Sequence, residues 1–238
     1  MSDRVTIDLK DGIADVRLNR PDKMNALDGA MFAAIVEAGD VLAADPSVRV
    51  VVLSGEGRGF CAGLDVSAFL GGGGGGDDDA SSFAVLGGRG EGRIANVAQQ
   101  VAYTWTEIPV PVIAAVHGVA LGGGIQIALG ADIRIVAPDA KLSVLEVRWG
   151  LFPDMTGLQT LPRLVGLDVA KELAFPGRLV SGTEAVALGL ATRVADDPRA
   201  AAFELASEIA GKNPAAIRHA KALLNAAGTR PLAEAFLD

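Results

Sequence analysis

The chain has 238 residues, half of them hydrophobic and 21% charged, with 21 Lys and Arg against 29 Asp and Glu, a net charge of −8. The apolar share excludes a disordered chain, and the acidic balance argues against nucleic acid as a partner, because no basic excess exists to neutralise phosphates. Length allows one large domain or two small ones, and no run approaches the ~18 uninterrupted apolar residues of a membrane span.

The N-terminal residues MSDRVTIDLKDG carry charges where a signal peptide needs an apolar stretch. Val5–Leu9 and Ile13–Leu18 alternate in polarity around Lys10-Asp11-Gly12, which predicts a β-hairpin, since Asp-Gly accepts the positive φ of a tight turn. Asp28 is placed to N-cap a helix reaching about Ala44, with Met31, Ile35, Ala38 and Leu42 on one face. Val48–Leu53 is a β-branched run that predicts a strand buried on both faces. From Gly55 to Gly92 the pattern breaks, with six consecutive glycines at Gly71–Gly76 followed by three aspartates. Such a stretch reads as a mobile surface insert or a functional lid.

Regular structure is expected again over Arg93–Glu107 as a helix and Val112–Val116 as a buried strand. Gly118–Gly130 reads as a glycine turn entering an apolar helix, and Ile133–Ala137 as a strand. A further helix is expected from Asp154–Thr156 toward Leu164. Ser181 and Glu184 form a capping-box pattern, with Gly189 ending that helix. Pro198–Ala210 and Pro214–Ala227 predict two last helices, the second capped by Asn213 and stopped by Gly228. Strands alternating with helices, then mostly helices, give an α/β core with a helical C-terminal part.

Two glycine loops follow buried strands. Neither has the G-x-G-x-x-G spacing of a dinucleotide site, and no G-x-x-x-x-G-K-[ST] phosphate loop exists. Gly122, Gly123 and Gly124 either admit a ligand to free N–H groups at a helix start or let that helix pack closely on its strand. GFCAGLDV has the same ingredients, so two loops can each donate an N–H to one oxygen. Cys61, the only cysteine, excludes an intramolecular disulfide and a cysteine-rich metal cluster, so no metal is expected and a reducing, cytoplasmic compartment is. It reads as a small buried filler rather than a nucleophile.

The segments RPDKMNAL (20–27), GFCAGLD (59–65), HGVALGGG (117–124), EVRWG (146–150) and SGTEAVALGLATRV (181–194) resemble, in order and spacing, the enoyl-CoA hydratase/isomerase, or crotonase, superfamily. The resemblance implies an α/β spiral of ββα units over residues 1–195 and a helical part over 196–238 that builds homotrimers, or hexamers as dimers of trimers. Relatives continue past the equivalent of Leu237–Asp238 with a further helix and a basic tail. The substrate implied is an acyl-CoA thioester, with CoA carried in by the substrate and no separate cofactor. Backbone N–H groups of Leu64 and Gly123 would form the oxyanion hole. Lys23 to Ala26 and Ala62, Gly63 and Asp65 would receive the CoA adenine and ribose.

Hydratases of that superfamily use two glutamates. Glu146 stands at the position of the second, but Gln126 stands at the first. Gln126 can orient water or substrate but cannot exchange a proton at neutral pH. Asp154 in GLFPDMTG occupies the place of a functional aspartate of dienoyl-CoA isomerases, and KELAF (171–175) also resembles them. Capping of the next helix is an equal alternative for Asp154. The resemblance thus leans toward enoyl- or dienoyl-CoA isomerisation, with hydration and a catalytically silent acyl-CoA-binding protein as alternatives. His117 reads as structural, His219 and Lys221 as solvated, and Trp149 and Phe152 as core or acyl-pocket residues.

Overall fold

The computed structural model describes residues 3–66, 86–229 and 231. The glycine run and the last seven residues lie outside them, so the expected lid is not described. Nine strands occur among the described residues: β1 (Val5–Lys10), β2 (Ile13–Leu18), β3 (Val50–Gly55), β4 (Val112–Val116), β5 (Val119–Leu121), β6 (Ile133–Val136), β7 (Lys141–Ser143), β8 (Val180–Ser181) and β9 (Arg193–Val194). The helices are α1 (Gly29–Ala44), α2 (Val97–Glu107), α3 (Gly123–Gly130), α4 (Gly157–Val165), α5 (Leu167–Ala174), α6 (Gly182–Ala187), α7 (Pro198–Ala210) and α8 (Pro214–Ala226).

β1 and β2 pair antiparallel across Asp11 (φ 53°) and Gly12 (φ 79°), the two positive φ values that a tight hairpin turn demands. β2, β3, β4, β6 and β9 then run parallel, giving a six-stranded sheet in the order β1-β2-β3-β4-β6-β9. β5, β7 and β8 form a second sheet, and Cys61 bridges to Ala120 at its edge. The successive segments β4–β5–α3 and β6–β7–α4 each place one strand in the large sheet and the next in the small one before a helix returns. This is the expected ββα spiral.

The inner strands β3 and β4 of the large sheet are buried on both faces, which is why VVVL and VIAAV are continuous apolar runs. One face packs Val51, Leu53, Ala114 and Val116 against α1 and α2. The other packs Val50, Val52, Ile113 and Ile135 against Ala202 and Ala206 of α7. The small alanines let α7 lie close on its own sheet.

Asp28 caps α1 by accepting Met31 N–H at 2.8 Å. α2 starts four residues later than expected, because Asn96 and Gln99 make a reciprocal capping box. β5 falls in the stretch expected as a glycine turn, and β7 lies where no element was expected. Lys221 is not solvated: it is buried, with Nζ donating to Trp105 O and Val110 O at 3.1 and 3.0 Å and pairing with Asp132 Oδ2 at 2.8 Å. It ties α8 to the end of α2 and to the residues that lead into β4 and β6. No described helix is long and apolar enough to cross a membrane.

Candidate active site

Four turns of chain converge on one cavity of about 240 Å³. Leu64, Gly123, Glu146 and Asp154 all line it, as does Gln126. Gly123 is the first residue of α3, where the backbone N–H has no partner one turn back. Neither Leu64 N–H nor Gly123 N–H enters a backbone hydrogen bond among the described residues outside helices and strands. The two loops touch: a side chain added at Gly63 (φ 86°) would meet Leu121 O at 2.5 Å and Gly123 N at 3.4 Å. Gly124 serves packing instead, since a Cβ there would strike the carbonyl of Cys61. Within the glycine loop, Gly124 thus lets the helix approach, while Gly123 lines the cavity.

Glu146 opens a short 3-10 turn, Glu146–Trp149, and is buried. Its Oε1 accepts a hydrogen bond from Gln126 Nε2 at 2.6 Å. Gln126 Oε1 in turn accepts Gly157 N–H at 2.9 Å. A backbone N–H can only donate, so the Gln126 amide has one allowed orientation. Glu146 Oε2 is buried with no hydrogen-bond partner. Burial pushes the Glu146 carboxyl above its ordinary range, opposed by its own backbone N–H and by Gln126, and the nearby Asp154 charge adds to the rise. Burial also raises Asp154. A base with raised proton affinity in an apolar cavity is suited to proton transfer near neutral pH.

Asp154 does not cap the following helix. Thr156 (φ 74°) is the N-cap residue of α4 and makes no side-chain cap bond, so α4 starts at Gly157. The remaining cavity wall is apolar, with Phe32, Leu151, Phe152 and Met155. Phe32 of α1 was not singled out from the sequence, where the apolar face of that helix was read from Met31, Ile35, Ala38 and Leu42.

The stretches matched to the CoA arm lie side by side. Ala62 N–H bonds Met24 O, Leu27 N–H bonds Gly63 O, and Asp65 N–H bonds Leu27 O, at 2.8 to 2.9 Å. Lys23 is exposed on its turn and Ala26 is buried. Asp65 accepts Arg20 Nη1 at 2.7 Å, so its carboxylate braces the two stretches. None of these residues lines the cavity around Glu146. Cys61 is buried, and its thiol is pushed up to about 12 by that burial, which leaves it inert as a nucleophile. His117 Nε2 lies 2.9 Å from Gly57 O and His219 Nδ1 2.9 Å from Ala215 O, both away from the cavity. Among the described residues no group of His, Cys, Asp and Glu is placed to hold a metal ion. A wider cleft of about 580 Å³ under the hairpin and α7 shares no residue with the Glu146 cavity, and its Asp15, Arg17 and Arg199 are paired with one another.

Two glycine-loop residues and a buried carboxylate thus line one cavity on a ββα spiral. The sequence matches the family model described as enoyl-CoA hydratase/isomerase over residues 8–237, and the chain belongs to that family. Mouse mitochondrial methylglutaconyl-CoA hydratase is 34% identical over 221 residues, which cover 90% of this chain and 66% of that protein. Mouse mitochondrial delta(3,5)-delta(2,4)-dienoyl-CoA isomerase is 36% identical over 220 residues, 88% of this chain and 64% of that protein. The chain thus spans just under two thirds of the length of these relatives. The crystal structure of an enoyl-CoA hydratase from Bacillus anthracis superposes with a TM-score of 0.86 at 30% identity, covering 98% of this chain and 87% of that one.

Proposed function

We propose that this chain moves a carbon–carbon double bond in enoyl- or dienoyl-CoA thioesters by proton shuttling through an enolate. The observation that carries the reading is the Glu146 carboxylate, with one oxygen fixed by Gln126 and the other buried and unpartnered, on a residue that lines the cavity with Leu64 and Gly123. The thioester oxygen accepts the N–H groups of Leu64 and Gly123. Glu146 Oε2 removes a proton from C2, and the electron pair left on carbon moves onto the thioester oxygen to give the enolate. For a 3-enoyl-CoA the same carboxyl returns the proton at C4. For a 3,5-dienoyl-CoA, Asp154 supplies the proton at C6. Each product is conjugated with its thioester. Gln126 holds Glu146 and takes no proton.

The CoA portion lies along Lys23–Ala26 and Ala62–Asp65, whose backbones run together. The reading includes a homotrimer, or a hexamer built from two trimers. Support comes from Trp149, Phe152 and Phe175, which are 62%, 62% and 73% exposed in the single chain and await cover. The buried thiol of Cys61 fits a reducing compartment such as the cytoplasm.

Hydration of 2-enoyl-CoA is the second reading. It is favoured by Asp154, a second acid on the same cavity with raised proton affinity, and by the relatives named as hydratases. Purified protein given 3-enoyl-CoA or 3,5-dienoyl-CoA in one arm and 2-enoyl-CoA in the other separates the readings. Appearance of conjugation without hydration supports isomerisation, and efficient loss of the 2-enoyl chromophore supports hydration. Binding without either leaves a silent acyl-CoA-binding protein.

A further inference from the structure

A second cavity of about 290 Å³ lies between α1 and α2. Phe32 and Asn96 line both this cavity and the one around Glu146, so they stand as the partition between the two. Ala33, Val36, Ala95 and Val97 give the second cavity apolar walls. Of these only Ala95 is buried; Ala33 is exposed and Val36 and Val97 are half-buried. An apolar wall that continues from a catalytic cavity suits an apolar ligand segment, which gains contact with each methylene it buries.

Arg93 also lines this cavity. Its Nη2 donates to both carboxylate oxygens of Asp40 at 2.6 Å, and its Nη1 lies 3.7 Å from Glu107 Oε2. One guanidinium therefore serves two carboxylates, and the local balance is negative. Among the described residues that line the cavity Arg93 is the one cation, so a carboxylate on the end of a ligand would meet a cation already committed to two acids that oppose it.

Resting on the acyl-CoA reading above, we propose that this second cavity receives the methyl end of the acyl chain, and that the preferred substrates carry uncharged acyl groups long enough to pass Phe32 and Asn96. Short acyl groups use the inner cavity alone. Acyl groups ending in a second carboxylate are disfavoured.

Calorimetric binding of saturated butyryl-, octanoyl- and dodecanoyl-CoA tests this without any turnover. Affinity should rise with chain length, by about fourfold for each methylene that enters the cavity. Val36→Trp, which fills the cavity from the exposed side of α1, should weaken dodecanoyl-CoA binding by about tenfold or more and leave butyryl-CoA unchanged. Ala33→Trp, at an exposed position, gives the same reading if Val36→Trp fails to fold. Decanoyl-CoA should bind more tightly than its ω-carboxyl counterpart sebacoyl-CoA, and Asp40→Asn should narrow that gap by releasing Arg93. Equal affinity at all lengths, equal loss for short and long chains in Val36→Trp, or sebacoyl-CoA binding as tightly as decanoyl-CoA would each overturn the proposal. Length-dependent binding without double-bond movement would sink the isomerase reading and leave this cavity assigned. Isomerisation with length-independent binding would do the reverse.

Discussion

Gln126 donates its Nε2–H to Glu146 Oε1 across 2.6 Å while its own Oε1 is occupied by the N–H of Gly157 at 2.9 Å. An uncharged residue at this position changes what Glu146 can do. A second carboxylate 2.6 Å away would share a proton with Glu146 and raise its proton affinity. The amide instead favours the ionised form of Glu146 and leaves Oε2 as the free basic oxygen.

Replacing Gln126 by Leu removes that hydrogen bond. Because the bond lowers the Glu146 pKa, the acid limb of the kcat profile should move to higher pH. At neutral pH kcat should fall by roughly 10–100-fold as positioning is lost, with KM little changed. An unshifted limb would mean that Gln126 does not act through Glu146.

Glu146→Gln should reduce isomerisation of every substrate by about 10²–10⁴-fold, the usual contribution of a positioned acid–base group. Asp154→Asn should have a comparable effect on 3,5-dienoyl-CoA and only a severalfold effect on 3-enoyl-CoA, which needs a single carboxyl. Steady-state rates on the two substrates give the comparison. Equal losses on both would refute the division of labour.

Gly123→Pro deletes one N–H at a helix position that proline tolerates, whereas Gly123→Ala keeps the N–H and adds a methyl beside Leu27 and Met155. The proline variant should lose about 10²–10³-fold in kcat relative to the alanine variant, the expected cost of one oxyanion donor.

Stability should carry the mark of the two strained acids. Burial raises the folded-state pKa of both Glu146 and Asp154. Between the ordinary carboxylate pKa and the raised one, the native state binds more protons than the unfolded chain, so stability falls as pH rises through that window. The doubly neutral variant Glu146→Gln/Asp154→Asn should therefore melt above the parent at pH 7.5. That gain should vanish at about pH 4, near the ordinary carboxylate pKa. Thermal melts at the two pH values read it out.

Lys221→Met should be costly although the residue sits on a surface helix. It strips a donor from Trp105 O, Val110 O and Asp132 Oδ2. Breaking such a buried pair costs about 3 kcal/mol or more, which for a domain of this size lowers Tm by roughly 10 °C. A melt within two degrees of the parent would show that α8 is held by other contacts.

Much of this fold was legible where local chemistry and tertiary packing agree. β2, β4 and α7 have the expected limits because apolar runs and a proline start are local signals. β5 and β7 were not legible: three-residue strands between glycines or polar residues show no period. Lys221 was misread because its helix is otherwise solvent-facing, and only the fold shows that Asp132 and two carbonyls lie beneath it. Glu146, Gln126, Leu64 and Gly123 were singled out through motif order, whereas the sharing of Phe32 between two cavities depends on how α1 meets α2, which no local pattern encodes.

Glu146 shuttles a proton in this proposal, while Gln126 only holds Glu146. Turnover of 3-enoyl-CoA by the parent, Glu146→Gln and Gln126→Glu tests it most directly, with hydration of 2-enoyl-CoA followed in parallel. Isomerisation is expected in the parent and should be lost in Glu146→Gln, whereas Gln126→Glu should isomerise more slowly and gain hydration. Hydration outpacing isomerisation in the parent, or isomerisation surviving in Glu146→Gln, would contradict it.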